Sequence, residues 1–76
     1  MTQYEWMDEF GDNLKCLLRE ARMSQQELAD LSGLSKYTIS NYIRAERMPS
    51  IKAVLKIAYA LDCQLDDLID FGEPIE

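Results

Sequence analysis

Apolar residues recur along this chain at spacings of three and four positions, in five separate segments. This spacing predicts amphipathic helices that each bury one face. The positions that we expect to face a common core are Leu14, Leu17, Leu18 and Ala21; Leu28, Ala29 and Leu31; Ile39, Tyr42 and Ile43; Ile51, Val54, Leu55, Ala58 and Leu61; Leu65, Leu68 and Ile69. Together they predict an all-α fold, a compact five-helix bundle.

Local signals mark the ends of the middle helices. Ser24-x-x-Glu27 is a capping box that opens the second helix, and Gly33 can take the positive φ of a tight stop. Ser35 is an N-cap for the third helix, and Pro49-Ser50 begins the fourth. These signals predict two short helices that meet at Gly33.

The beginning of the chain leaves two possibilities open. A capping-box pattern at Thr2 permits a helix from the first residues, whereas Gly11 costs ~1 kcal/mol inside a helix and favours a later start. We therefore divide the chain into 1–9 as an N-terminal arm or helix extension, 10–71 as one globular domain, and 72–76 as a C-terminal tail.

Charge is distributed unevenly. The net charge is −6, yet all eight basic residues lie between Lys15 and Lys56 together with only four acids, a local charge of +4. A basic centre between acidic ends can face a polyanion, although long-range steering should be weak. The acidic ends can equally serve solubility alone. No apolar run is long enough for a bilayer, so we expect no membrane contact and a cytoplasmic location.

Catalytic and metal-binding patterns are absent from the sequence. There is no His, no Gly-rich phosphate loop and no nucleophile beside a base, so we expect neither an enzyme nor a cofactor or metal. Cys16 and Cys63 lie in apolar helical contexts, and we expect two buried, reduced thiols.

The third helix places five polar side chains opposite its apolar face: Lys36, Tyr37, Ser40, Asn41 and Arg44. Lys can donate to guanine, Asn can pair with adenine, and Tyr can pack on a thymine methyl group. Backbone N–H groups and the Gln25 amide at the start of the second helix suit a phosphate. By itself, such a face is more often ordinary solvated surface.

The joint spacing of Ala29, Gly33 and Ile39 is far more specific. The segment SQQELADLSGLSKYTIS, with the Pro49-Ser50 start and IAYALDCQLDDLI, resembles the Cro and phage-repressor (xenobiotic-response-element) type of helix-turn-helix protein over residues 10–70. This resemblance implies a repressor whose homodimers bind palindromic double-stranded DNA operators. By motif position, it implies phosphate contacts at Gln25 and Ser35, groove contacts at Lys36, Tyr37, Ser40 and Asn41, and DNA-backbone contacts at Arg44 and Arg47.

Two departures from that family pattern stand out. An Arg–Glu pair common in the family is replaced by Leu18 and Ile43, an exchange that well-packed hydrophobic residues tolerate. A common glycine is replaced by Ala45, which would cost on the order of 1 kcal/mol if its φ is positive.

A protein-interaction module is the alternative function. The acidic ends could bind a protein, as in an antitoxin or an acidic DNA mimic. The large residues of the N-terminus either pack on their own domain or form a partner surface; they are Tyr4, Trp6, Met7 and Phe10.

Overall fold

The computed structural model describes the backbone of residues 3–69 and the side chains of residues 5–69. This part of the chain forms five helices and no strand, which confirms the all-α five-helix prediction. The helices are α1 (Gln3–Ala21), α2 (Gln25–Ser32), α3 (Lys36–Ile43), α4 (Ile51–Leu61) and α5 (Leu65–Leu68).

One apolar core joins all five helices. Its most deeply buried side chains are Phe10, Leu14, Leu28, Ile39, Val54, Ile57 and Leu68. Burying each such Leu, Ile, Val or Phe side chain contributes about 1.5–3 kcal/mol, which is what a small domain needs to offset chain entropy. Leu18 is buried in this core and Ile43 packs against it, so the expected apolar replacement of an ion pair is accommodated.

Helix α1 runs without interruption through Gly11. Of the two starts that the sequence left open, the structure has the early one, at Gln3. Gly11 lies against the end of α3, and a Cβ built there would stand 2.7 Å from the carbonyl oxygens of Tyr42 and Ile43. The glycine therefore allows α1 and α3 to approach more closely than any side chain would permit.

The N-terminal aromatic residues pack on their own domain. Met7 and Phe10 are buried, and Trp6 is half-buried and stacks on Phe10 with the ring centroids 5.7 Å apart. Phe10 in turn meets the edge of Tyr42 at 5.9 Å. The side chain of Tyr4 lies outside the described residues. This cluster fixes the first turns of α1 to the core.

Four apolar residues expected in the core are exposed instead. Ala21 is exposed at the end of α1. Leu31 is 61% exposed, and on α4 Ile51 and Leu55 are 69% and 50% exposed. Helix α4 is apolar on almost every side, so periodicity alone could not select the face that packs inward. The prediction of a buried Cys16 is also wrong, because that thiol is exposed; Cys63 is half-buried, and both are free.

Candidate nucleic-acid interface

Helices α2 and α3 are joined by a turn whose geometry follows from its residue types. The Ser24 hydroxyl accepts from the Glu27 N–H at 3.0 Å, and the Glu27 carboxylate accepts from the Ser24 N–H at 3.1 Å, as the capping box predicted. Gly33 ends α2 with φ 78° and donates its N–H to the Ala29 carbonyl at 2.9 Å. A left-handed residue is required here, and Gly33 adopts that conformation without steric cost.

Helix α3 begins immediately after this turn. The Ser35 hydroxyl accepts from the Thr38 N–H at 3.0 Å and donates to the Thr38 hydroxyl at 2.9 Å. Ile39 and Tyr42 anchor the inner face against α1 and α2. Lys36, Tyr37 and Arg44 are exposed and Ser40 is half-buried, so four of the five predicted outer residues do share the solvent side of α3.

Asn41 is the exception. Its side chain is only 7% exposed, so the expectation that it projects outward is wrong. The Asn41 Oδ1 atom accepts from the Arg44 guanidinium at 2.9 Å, and its backbone carbonyl accepts from the Glu46 N–H at 2.9 Å. Asn41 therefore holds together the last turn of α3 and the chain that follows it.

A second hydrogen bond ties α2 to α3. The Ser40 hydroxyl donates to the Gln25 Oε1 atom at 2.6 Å, across fifteen positions of sequence. Gln25 is the first residue of α2, where the backbone N–H groups point out of the helix. The structure thus brings together one residue predicted to contact phosphate and one predicted to enter the groove.

Arg44 has an acidic neighbour that the sequence reasoning overlooked. The Arg44 Nε atom lies 3.4 Å from Glu46 Oε1, with both side chains more than half exposed. Glu46 follows Arg44 by two positions, a separation at which the loop conformation decides whether the charges meet. The basic residues at this end of α3 are therefore Arg44, which is partly neutralised, and Arg47, which is exposed.

The loop after α3 has the strain that the sequence anticipated. Ala45 has φ 58°, so the condition under which the sequence predicts strain at this position is met. Its N–H donates to the Tyr42 carbonyl at 3.1 Å, which closes the end of the helix. This conformation turns the chain toward Glu46 and Arg47.

Two other kinds of site, a metal site and a membrane-spanning helix, are absent from residues 3–69. No cluster of His, Cys, Asp and Glu among them could hold a metal ion. None of the helices described is both long and apolar enough to cross a membrane.

Burial raises the pKa of the Cys63 thiol, with the Asp67 and Asp62 carboxylates adding to the effect. A raised pKa keeps this thiol protonated and unreactive.

The short pair α2–α3, joined at a left-handed glycine and bearing a polar outer face, defines a helix-turn-helix. Comparison with known proteins agrees. The Helix-turn-helix family (HTH_3) matches residues 14–68. The chain belongs to this family, a family of DNA-binding regulators rather than enzymes, and it is a DNA-binding transcriptional regulator.

Individual relatives show the same relationship. The chain is 36% identical over 56 residues to the SPbeta prophage-derived uncharacterized HTH-type transcriptional regulator YopS of Bacillus subtilis, covering 72% of this chain and 76% of YopS. The restriction-modification controller protein C.AhdI from Aeromonas hydrophila superposes with a TM-score of 0.83 at 35% identity, over 87% of this chain and 100% of that one. The P22 c2 repressor protein, solved in complex with a synthetic operator, superposes with a TM-score of 0.74 at 25% identity, over 83% and 96%.

Proposed function

We propose that this protein is a transcriptional repressor that binds a palindromic operator as a homodimer, in the cytoplasm, with α3 in the major groove. The observation that carries the proposal is the solvent-facing side of α3, where Lys36 and Tyr37 are exposed and Ser40 is half-buried. Similarity to the P22 c2 repressor supports the repressor role.

The residues divide into two roles. Lys36, Tyr37 and Ser40 contact base edges, because they project from the first turns of a helix short enough for the groove. The remaining contacts go to phosphates, which set the register on the duplex without reading sequence. We assign that second role to Gln25, Ser35, Arg44 and Arg47.

Asn41 acts as a positioning residue in this proposal. Its buried amide oxygen fixes the Arg44 guanidinium at 2.9 Å, so its effect on DNA passes through Arg44. Asn41→Ala should weaken binding to all duplexes by a similar factor. A loss confined to one base position would instead show that Asn41 rotates outward and reads a base.

Selection of bound duplexes from a random pool, followed by titration of the recovered site, tests the base-reading role. Lys36→Ala should change the preferred base at one position of each half-site, with a loss of ~1–3 kcal/mol on the original operator. Lys15→Ala removes the same charge from an exposed position of α1 and serves as the matched control. An unchanged preference in Lys36→Ala would contradict the assignment.

Salt dependence tests the phosphate role. Arg47→Ala should weaken binding to all DNA sequences alike and reduce the slope of log K against log salt by ~1.

The sign of regulation is tested with a reporter whose promoter overlaps the selected operator. A repressor lowers transcription from it, and a rise would contradict the proposed sign.

A further inference from the structure

Two arginines at the end of α1 have no part in the DNA contacts assigned above. Arg19 lies in the last turn of α1 and Arg22 directly follows the helix, and both are exposed. Neither forms an ion pair within residues 5–69, where the one ion pair joins Arg44 and Glu46. We call Arg19 and Arg22 the α1 arginine pair. Since no carboxylate neutralises them, both guanidinium groups are free to bind an anion.

The backbone at Arg22 has a conformation that favours glycine. Its φ is 54°, its N–H donates to the Arg19 carbonyl at 3.1 Å, and the Met23 N–H donates to the Leu18 carbonyl at 2.9 Å. These two hydrogen bonds form a Schellman motif, whose left-handed position is usually glycine because a Cβ is strained there. The positive charge suits the end of the helix dipole, but that attraction is generally weaker than the strain. Stability of the fold therefore does not explain an arginine at this position.

Two contacts define the side of α1 on which the α1 arginine pair lies. Gly11 lies against the end of α3, whereas the Asn13 side-chain amide donates to the Leu68 carbonyl of α5 at 2.9 Å. Arg19 and Arg22 follow Gly11 by eight and eleven positions, close to two and three turns of helix. The pair therefore lies along the edge of α1 that adjoins the helix-turn-helix, away from α5.

The chain after Arg22 leads directly to a residue assigned to the DNA backbone. Gln25 follows by three positions, and its Oε1 atom accepts from the Ser40 hydroxyl of α3 at 2.6 Å. Three steps between Cα atoms span at most ~11 Å. Phosphates recur every ~3.4 Å along the axis on each DNA strand. A duplex that places one phosphate at Gln25 therefore brings neighbouring phosphates within reach of the long Arg22 side chain.

We propose that the α1 arginine pair binds DNA phosphates that flank the bases read by α3. This rests on the proposed function, because the duplex must lie against α3 for these phosphates to arrive. A guanidinium group can bind a phosphate through two parallel N–H···O bonds. Such contacts carry no base information, so the pair adds affinity and extends the contacted DNA beyond the bases that are read.

Arg22→Gly separates a role in binding from a role in the fold. Glycine suits a φ of 54°, so the Tm should stay the same or rise. Binding to the selected operator should weaken, and the slope of log K against log salt should fall by ~0.9. The loss of affinity at 50 mM salt should therefore exceed the loss at 200 mM by about 3.5-fold. A slope equal to that of the wild-type chain would overturn the proposal.

Two milder changes test whether the charge itself is responsible. Arg22→Gln keeps the strained backbone but removes the charge, so it should lower the salt slope as much as Arg22→Gly does. Arg22→Lys keeps the charge and should keep the slope, with some loss of affinity because lysine cannot bind in bidentate fashion. Equal slopes in Arg22→Gln and Arg22→Lys would overturn the proposal.

Lys15→Ala is the matched control. Lys15 is an exposed cation on the same helix, about two turns before Arg22, and Asp12 precedes it by three positions on the same face. Its removal should leave the salt slope almost unchanged, whereas Arg19→Ala should lower the slope as Arg22→Gly does. A Lys15→Ala effect as large as that of Arg22→Gly would show that only the total charge matters, and would overturn the proposal.

Neutral phosphates locate the contact on the DNA. Duplexes of the selected operator, each with one methylphosphonate outside the bases read by α3, are titrated with the wild-type chain and with Arg22→Gly. At one flanking position, neutralisation should weaken wild-type binding but have little further effect on Arg22→Gly. Equal losses for both chains at every flanking position would overturn the proposal.

Failure of this inference can be told apart from failure of the proposed function. A wild-type chain that selects no duplex from the random pool would overturn both. A wild-type chain that selects a duplex, and whose salt slope is unaltered in Arg22→Gly, would overturn the role of the α1 arginine pair alone.

Discussion

Gly11→Ala tests whether the contact between α1 and α3 determines the stability of the domain. The new Cβ would stand 2.7 Å from the carbonyl oxygens of Tyr42 and Ile43. Carbon–oxygen contacts in proteins settle at about 3.3–3.6 Å, so the two backbones must separate by roughly 0.6 Å. Neither oxygen is at the end of a flexible side chain. The helices must therefore move as units and loosen the packing around Phe10.

The magnitude follows from two opposing effects. Overpacking of this kind costs typically ~1–3 kcal/mol, and alanine recovers ~1 kcal/mol of helix propensity relative to glycine. We expect a net loss of up to about 2 kcal/mol in the free energy of unfolding. For a domain of this size, a loss of about 2 kcal/mol lowers the Tm by about 8–16 °C. Urea unfolding followed by circular dichroism measures the free energy directly.

Asp12→Ala is the matched control, because Asp12 is the next residue of α1 and faces solvent. It should leave the stability unchanged or raise it by a few tenths of a kcal/mol, since alanine is the better helix former. A Gly11→Ala chain that is stabilised by ~1 kcal/mol would refute the reasoning. That result would mean that α1 and α3 separate without cost.

Three further predictions concern the end of α3 and the cysteines. Glu46→Gln should tighten binding to all duplexes about two- to fivefold, since it frees the Arg44 guanidinium from an exposed ion pair and removes a charge that repels phosphate. Fluorescence anisotropy measures this, and equal or weaker binding would contradict it. Ala45→Gly should raise the free energy of unfolding by ~0.5–1 kcal/mol, because its φ of 58° suits glycine; destabilisation in urea would count against it. Cys63 should react with iodoacetamide more slowly than the exposed Cys16, because burial raises the Cys63 pKa. Peptide mapping measures the two alkylation rates, and a faster reaction at Cys63 would contradict this prediction. For the same reason, the free energy of unfolding should fall as alkaline pH ionises this thiol in the unfolded chain. Thermal melts at rising pH measure this, and a Tm that rises with pH would contradict it.

Local signals were sufficient to predict the helix-turn-helix. Ser24, Gly33 and Ser35 each act within three or four positions of themselves, through a cap or a permitted φ, so their effects can be read from neighbouring residues. The family position of Ala45 marked it as a site of strain if its φ is positive, and its φ is 58°. The DNA contacts assigned to the outer face of α3 remain predictions.

Long-range contacts explain what the sequence could not predict. From the sequence alone, Gly11 is only a helix-destabilising residue. In the structure it lies against the carbonyls of Tyr42 and Ile43, more than thirty positions away, where a side chain would not fit. Helical spacing predicts that Asn41 points outward. In the structure its amide oxygen instead accepts a hydrogen bond from the Arg44 guanidinium. Both depend on how helices meet, which residue spacing within one helix does not specify.

Helix α4 is a different case, because its sequence did contain a signal. Only Lys52 and Lys56 are polar among its eleven residues. One buried face of a small domain cannot use that many apolar side chains, so an exposed apolar face beside the buried one could have been expected.

The short hydrogen bond between Ser40 and Gln25 has a consequence for how binding preference can change. In the proposed function, Gln25 contacts a phosphate and Ser40 contacts a base, so this hydrogen bond links the two assigned roles. Replacing Gln25 would release the Ser40 hydroxyl to swing toward a different acceptor. If these assignments hold, a substitution at a position assigned to the DNA backbone changes operator preference during evolution, while the sequence of α3 stays the same.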